Sequence, residues 1–266
     1  MSNHLTRVAL ATLACATLLF MCVPIAVVVP MSFSNANALA FPPPDFSLRW
    51  YTAFFADARW MEALRTSLFV AVVSGTAALV LGTMAAYGLV RGRFRGRKAI
   101  ELNFAVPMVI PHIITAIALY IAFARAGLLG SLTGLIVAHT ILAAPYVVLV
   151  VSVALGSLDH RIEQVALTLG ASRWQVLVKI VAPNLAPSLV AAWIFAFIVS
   201  FDEITVTVFL AGTNETVPKR MFTQLLERID PTITAVATLL IAISVLSVVV
   251  IALLMKRAGL LNRTQR

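Results

Sequence analysis

Apolar residues recur along the chain in long runs, separated by short stretches that hold nearly all of the charge. The runs cover residues 8–31, 65–90, 100–124, 133–155, 184–211 and 233–255. At about 1.5 Å of helical rise per residue, each is long enough to cross the ~30 Å of bilayer hydrocarbon. The pattern predicts an all-α polytopic membrane protein with six transmembrane helices, a single domain over residues 1–266 and both termini on one side. The first run reads as a retained anchor: its apolar stretch is longer than a cleaved signal needs, although Ala38-Leu39-Ala40 resembles a cleavage site.

Composition agrees with that reading. Hydrophobic residues make up 61% and charged residues 12% of the 266, about half the charged share of an ordinary soluble domain. The net charge of +9 does not point to nucleic acid, because the basic residues flank the apolar runs, where they orient helices. Thirteen of them, Arg7, the cluster Arg91, Arg93, Arg95, Arg97 and Lys98, then Arg161, Arg173, Lys179, Lys256, Arg257, Arg263 and Arg266, fall on one face. Seven fall opposite: Arg49, Arg59, Arg65, Arg125, Lys219, Arg220 and Arg228. The positive-inside rule makes the richer face, with both termini, cytoplasmic. Cys15 and Cys22 lie seven apart in one helical run, two turns from each other, and cannot bridge.

Within the second run Ser74, Ala78, Gly82 and Ala86 recur every four residues, a small-residue stripe that lets helix backbones approach closely. Pro107 and Pro111 in the third run and Pro145 in the fourth remove helical hydrogen bonds and predict kinks. Trp50, Tyr51 and Trp60 precede the second run as interfacial rings, and Pro42-Pro43-Pro44 reads as a stiff connector.

The connection over 156–183 is far longer than a helix bundle needs. Residues Ile162 to Leu169 predict a short amphipathic helix, Gly170 a positive-φ turn, and Ser172 the cap of a second helix from Arg173, with Pro183 and Pro187 near the start of the fifth span. Val165, Ala166 and Leu169 would form an apolar patch on this elbow. In the fifth run Asp202 and Glu203 interrupt an apolar helix, where a lipid-facing charge is costly. Either acid is read as facing the pathway or a partner chain, or as capping and pairing locally, with Arg125 or Lys219. His112 and His139 are too isolated to claim as metal ligands. The chain has no Gly-Lys dipeptide and so no Walker A loop, and neither a His-Glu-x-x-His nor a Gly-x-Ser-x-Gly pattern. No catalytic residue, metal or cofactor is assigned.

The run Glu163-Gln164-Val165-Ala166-Leu167-Thr168-Leu169-Gly170, followed after nine residues by Ile180-Val181-Ala182-Pro183, resembles the Glu-Ala-Ala loop of permeases in binding-protein-dependent ABC importers. It departs at Gln164 (family Glu), Val165 (family Ala) and Ala182 (family Leu). Ser47-Leu48-Arg49-Trp50-Tyr51, Ser67-Leu68, Ser200-Phe201-Asp202-Glu203, Phe209-Leu210-Ala211-Gly212, Val217-Pro218 and Pro231 with Ala235 and Thr238 are similar to the polyamine branch. The resemblance implies a type I (MetI-like) permease of a bacterial inner membrane that carries out no chemistry itself. It further implies an ATP-binding cassette subunit dimer, a second homologous permease and a periplasmic solute-binding protein as partners, the lipid bilayer as surroundings, and putrescine or spermidine as cargo. Glu163, Gln164, Val165, Ala166, Leu169, Gly170, Ile180 and Pro183 would belong to the coupling element docking on the ATPase. An ion-coupled secondary carrier is the alternative; it would show inverted repeats with broken helices and more buried ionisable groups.

Overall fold

A computed structural model describes residues 2–227 and 229–257; Arg228, Arg263 and Arg266, counted above for sidedness, lie outside the described residues. Twelve helices carry the described chain: α1 Ser2–Ser32, α2 Arg49–Ala56, α3 Ala58–Arg91, α4 Arg97–Val109, α5 His112–Ala126, α6 Leu132–Ser157, α7 His160–Thr168, α8 Arg173–Val176, α9 Ala182–Phe201, α10 Thr205–Leu210, α11 Val217–Glu227 and α12 Thr232–Arg257. A single turn of π-helix, Leu177–Val181, joins α8 to α9. Among the described residues five helices are long and apolar enough to cross a membrane, or six if α4 and α5 count together as one span.

The third run departs most from the sequence expectation of a kinked helix. It is two helices, α4 and α5, meeting at 107°. Proline before His112 drives Ile110 into an extended conformation (ψ 133°), because the ring crowds the preceding residue out of the helical region. Pro111 itself is extended, and α5 starts directly after it. Pro145, by contrast, is buried inside an uninterrupted α6. The fifth run also differs: α9 stops at Phe201, so the acids sit at a break and not inside a helix. Its beginning lies earlier than expected, since one apolar helical stretch runs from Arg173 to Phe201 with Pro183 and Pro187 inside it. Pro183 has no N–H to give the carbonyl of Lys179, and the wider π turn falls at this place, with Ala182 N–H donating to Leu177 O.

The chain packs as two units, residues up to 61 with 221–243, and residues 62–220 with those from 244 onward. In the first, Ser32 Oγ and Tyr51 OH share a hydrogen bond of 2.8 Å, and the buried rings of Phe54 and Trp60 meet at 5.5 Å. Cys15 and Cys22 are free and exposed on α1.

The second unit holds α4 to α10 and most of α3. Its core joins Ala78, Ala86 and Leu89 of α3, Ala143, Val147 and Val151 of α6, and Leu185, Ala192 and Ala196 of α9. The small-residue stripe lies inside it: Ser74, Ala78, Gly82 and Ala86 are buried. A Cβ on Gly82 would stand 2.8 Å from the Val147 side chain, so the absent side chain is what admits α6. At the far end of this unit two loops touch backbone to backbone. Gly130 (φ +71°) donates its N–H to Leu210 O at 2.9 Å and accepts from Asn214 Nδ2 at 2.8 Å. A Cβ on Gly212 (φ +56°) would sit 2.8 Å from Gly130 Cα. Lys219 Nζ donates to the carbonyls of Gly212 and Asn214. Burial lowers the Lys219 pKa from its ordinary value, and Glu215 opposes the shift.

Candidate functional site

Two places in the second unit gather the polar side chains that sequence reasoning singled out. The first is the elbow. Asp159 caps α7 by accepting from Arg161 N–H at 2.9 Å, and Gly170 (φ +88°) reverses the chain with Ala171 N–H donating to Ala166 O. Ser172 then opens α8 with a complete capping box to Gln175. A helix, a left-handed glycine and a capped second helix thus follow from local sequence alone.

The elbow presents Gln164, Val165 and Leu169 outward, with Leu169 83% exposed. Ala166, expected in the same apolar patch, is instead partly buried against the core, as is Ile180, whereas Pro183 is exposed. Helical spacing explains this: Ala166 lies three residues after Glu163, and Glu163 faces inward. Trp174, at 68% exposed, is a large apolar surface that the sequence reading overlooked. Its position on the first turn after Ser172 was the available signal.

Glu163 is 1% exposed. Arg91 Nε donates to its Oε1 at 2.8 Å and Tyr87 OH to its Oε2 at 2.9 Å. His160 Nδ1 stands 3.6 Å away, and Arg91 Nη2 also donates to Leu158 O at 3.0 Å. The buried carboxylate is therefore held on both oxygens by the last turns of α3, and Arg91, first of the basic cluster, is turned inward.

The second place is the break after α9. Asp202 is exposed, whereas Glu203 is buried (5% exposed). Glu203 Oε1 accepts from Val206 N–H at 2.8 Å, which caps α10, and Oε2 lies 3.1 Å from His112 Nδ1 at the start of α5. Local capping and pairing thus describe Glu203, but the partner is His112, brought there by the α4–α5 bend. Behind it runs a chain of buried hydrogen bonds. Thr207 Oγ1 donates to Glu203 O, so it must accept from His139 Nε2–H at 3.0 Å. His139 Nδ1 then accepts from Ser200 Oγ at 2.8 Å, and Ser200 accepts from Ser74. One donor direction from Ser74 to Glu203 O satisfies every member, with His139 donating from Nε2 and accepting at Nδ1. Three helices and α10 are tied at this point. His139 is consequently a packed structural imidazole. Among the described residues no group of three His, Cys, Asp or Glu could hold a metal.

The cavity of about 470 Å³ between α3, α4 and α6 is lined mainly by apolar side chains such as Phe104, Met108 and Val148, with Arg97, Lys98 and Glu101 at its charged part. It has no contact residue in common with either place.

Comparison with known proteins agrees on the kind of molecule. A profile of the family described as "Binding-protein-dependent transport system inner membrane component" matches residues 78–259. The putrescine transport system permease protein PotI of Escherichia coli (strain K12) is 34% identical over 230 residues, covering 84% of this chain and 82% of that protein. The spermidine/putrescine transport system permease protein PotC of Haemophilus influenzae is 31% identical over 239 residues, 90% of this chain and 92% of the relative. Among solved structures, a chain of a bacterial ABC transporter that imports the acidic polysaccharide alginate has the same fold, with a TM-score of 0.69 at 19% identity over 97% of both chains.

Proposed function

The chain belongs to the inner membrane components of binding-protein-dependent transport systems, and from that membership we propose how its two polar centres serve import. It is the membrane-spanning permease subunit of an ATP-driven importer, with residues 1–266 acting as one permease domain that forms half of the pathway. The alternative of an ion-coupled carrier has no support in this kinship. ATP is hydrolysed on a separate cassette subunit, and a second permease chain and a solute-binding protein complete the assembly.

The observation that carries the coupling role is the elbow of α7, Gly170 and α8, which turns Val165 and Leu169 outward while its acid is tucked beneath. This is the geometry of a docking knob: an exposed apolar tip on a fixed base. Gln164 and Gly170 belong to the same contact, whereas Ala166, Ile180 and Pro183 serve the base. ATP-driven closure of the cassette dimer moves the two elbows, and the spans follow. The sidedness this needs, elbow and termini cytoplasmic, rests on the basic-residue count.

Cargo is taken to be a polyamine, putrescine or spermidine, as in the relatives named above. Asp202 is exposed at the break and is the acid placed to attract a cation, while Glu203 holds the break in shape beside it. Pull-down tests the assembly: the wild-type chain should bring down its cassette subunit, and Leu169→Asp should abolish that capture; capture unaffected by Leu169→Asp removes the elbow from the contact. Uptake of labelled putrescine tests the acids. Asp202→Asn should lower it, and unchanged uptake at equal protein level ends the pathway reading.

A further inference from the structure

The outward face of the elbow explains how a cassette subunit grips it, but not how the grip moves a transmembrane helix. The apolar contacts under the elbow, from Ala166, Ala171 and Leu177, are non-directional and allow sliding. Glu163 is held differently. Tyr87 and Arg91 are four residues apart and share one face of α3. Each takes a different oxygen of the same carboxylate, so the group is clamped against rotation as well as translation. Arg91 also holds the carbonyl of Leu158, where α6 ends and α7 begins. Ends of α3, α6 and α7 therefore meet at one guanidinium.

We propose that Glu163, clamped by Arg91 and Tyr87, is the positioning residue that passes displacement of α7 to α3. The inference rests on the coupling reading of the elbow. The clamp suits the task because its members are 1% and 14% exposed at the side chain, which leaves water little access to replace either partner. Separating them would strand a carboxylate in a dry site, so the joint stays closed under load. Beyond it α3 is a continuous helix of 34 residues, about 50 Å long at the usual rise. A push at Arg91 reaches the packed stripe of Ser74, Ala78 and Gly82 as a rigid-body tilt. Gln164, next in sequence and exposed, has no part in this link.

The test uses the full assembly of this chain, partner permease and cassette subunits in lipid nanodiscs, with Cys15 and Cys22 replaced by Ala. A single cysteine is placed at the exposed Met84 on α3, and maleimide labelling is followed with and without ATP and vanadate, alongside ATP turnover. With native Glu163 the labelling rate should change on ATP binding. Glu163→Gln should shrink that change by about tenfold, within the usual range of coupling between linked sites, while the cassette subunit stays bound and turnover continues. The double exchange Arg91→Glu with Glu163→Arg should restore part of it. An undiminished change in Glu163→Gln overturns the proposal, as does a fall of labelling change and turnover in step, which is what a merely structural role produces. Should Glu163→Gln fail to assemble, Tyr87→Phe, which keeps both charges, should still weaken the change, and an unaltered response overturns the proposal. If the native chain does not hold the cassette subunit at all, it is the elbow reading that falls.

Discussion

Glu163 and Glu203 are both buried carboxylates at helix junctions of one packing unit, yet they are neutralised in different ways. Glu163 faces the guanidinium of Arg91, 14% exposed, and a phenol besides. Glu203 faces His112, whose side chain is 44% exposed, and it spends its other oxygen on a backbone N–H. A dry joint held on both oxygens resists opening; an exposed imidazole makes one that solvent or a cationic solute can reach. The first property suits the coupling role proposed for the elbow, and the second suits the pathway role proposed for Asp202.

The largest effect separating the two comes from deleting each partner. Arg91→Ala should cost about 3–5 kcal/mol, the usual result of stranding a buried charge, whereas His112→Ala should cost about 1–3 kcal/mol because its site is wetter. Denaturant unfolding in nanodiscs measures both, and equal losses would erase the distinction. Next, His139→Leu leaves Ser200 and Thr207 each short of one partner in a dry place and should cost about 1–3 kcal/mol; no loss would mean that the relay does not hold the break together. Ser172→Ala removes the capping box of α8 and should cost about 1 kcal/mol, seen as a small fall in melting temperature without loss of the buried clamp. The smallest effect is expected of Gln164→Glu, which restores the residue usual in the family at an exposed position: stability should shift by less than about 0.5 kcal/mol. A larger loss would show that Gln164 is not free of the clamp below it.

The elbow was legible in the sequence because local chemistry builds it. Gly170 and Ser172 each act within four residues, so spacing was enough to place the two helices and the turn, although the Asp159 cap that starts the first was missed. The stripe of α3 was legible for a similar reason, since its period is that of one helix. What faces what was not. Glu163 and Arg91 are 72 positions apart, and Glu203 and His112 are 91 apart. Nothing local tells an acid on an amphipathic helix whether it points to water or to a guanidinium. The bend at Ile110 was half visible: Pro107 and Pro111 announced a disturbance, but its size depends on the packing of α4 and α5 against different neighbours. The end of α9 was hidden because the apolar run resumes at Ile204 directly after the two acids, with no proline or glycine there to mark a break.

The meeting of Gly130 and Gly212 has a consequence for transport. With no side chain on either residue and a carbonyl, an amide and an asparagine interlocked across the gap, the α5–α6 hairpin and α10 are welded at that corner. Any movement of α5 against α10 would have to break this corner, so the three helices are expected to travel as one block when the importer proposed above works.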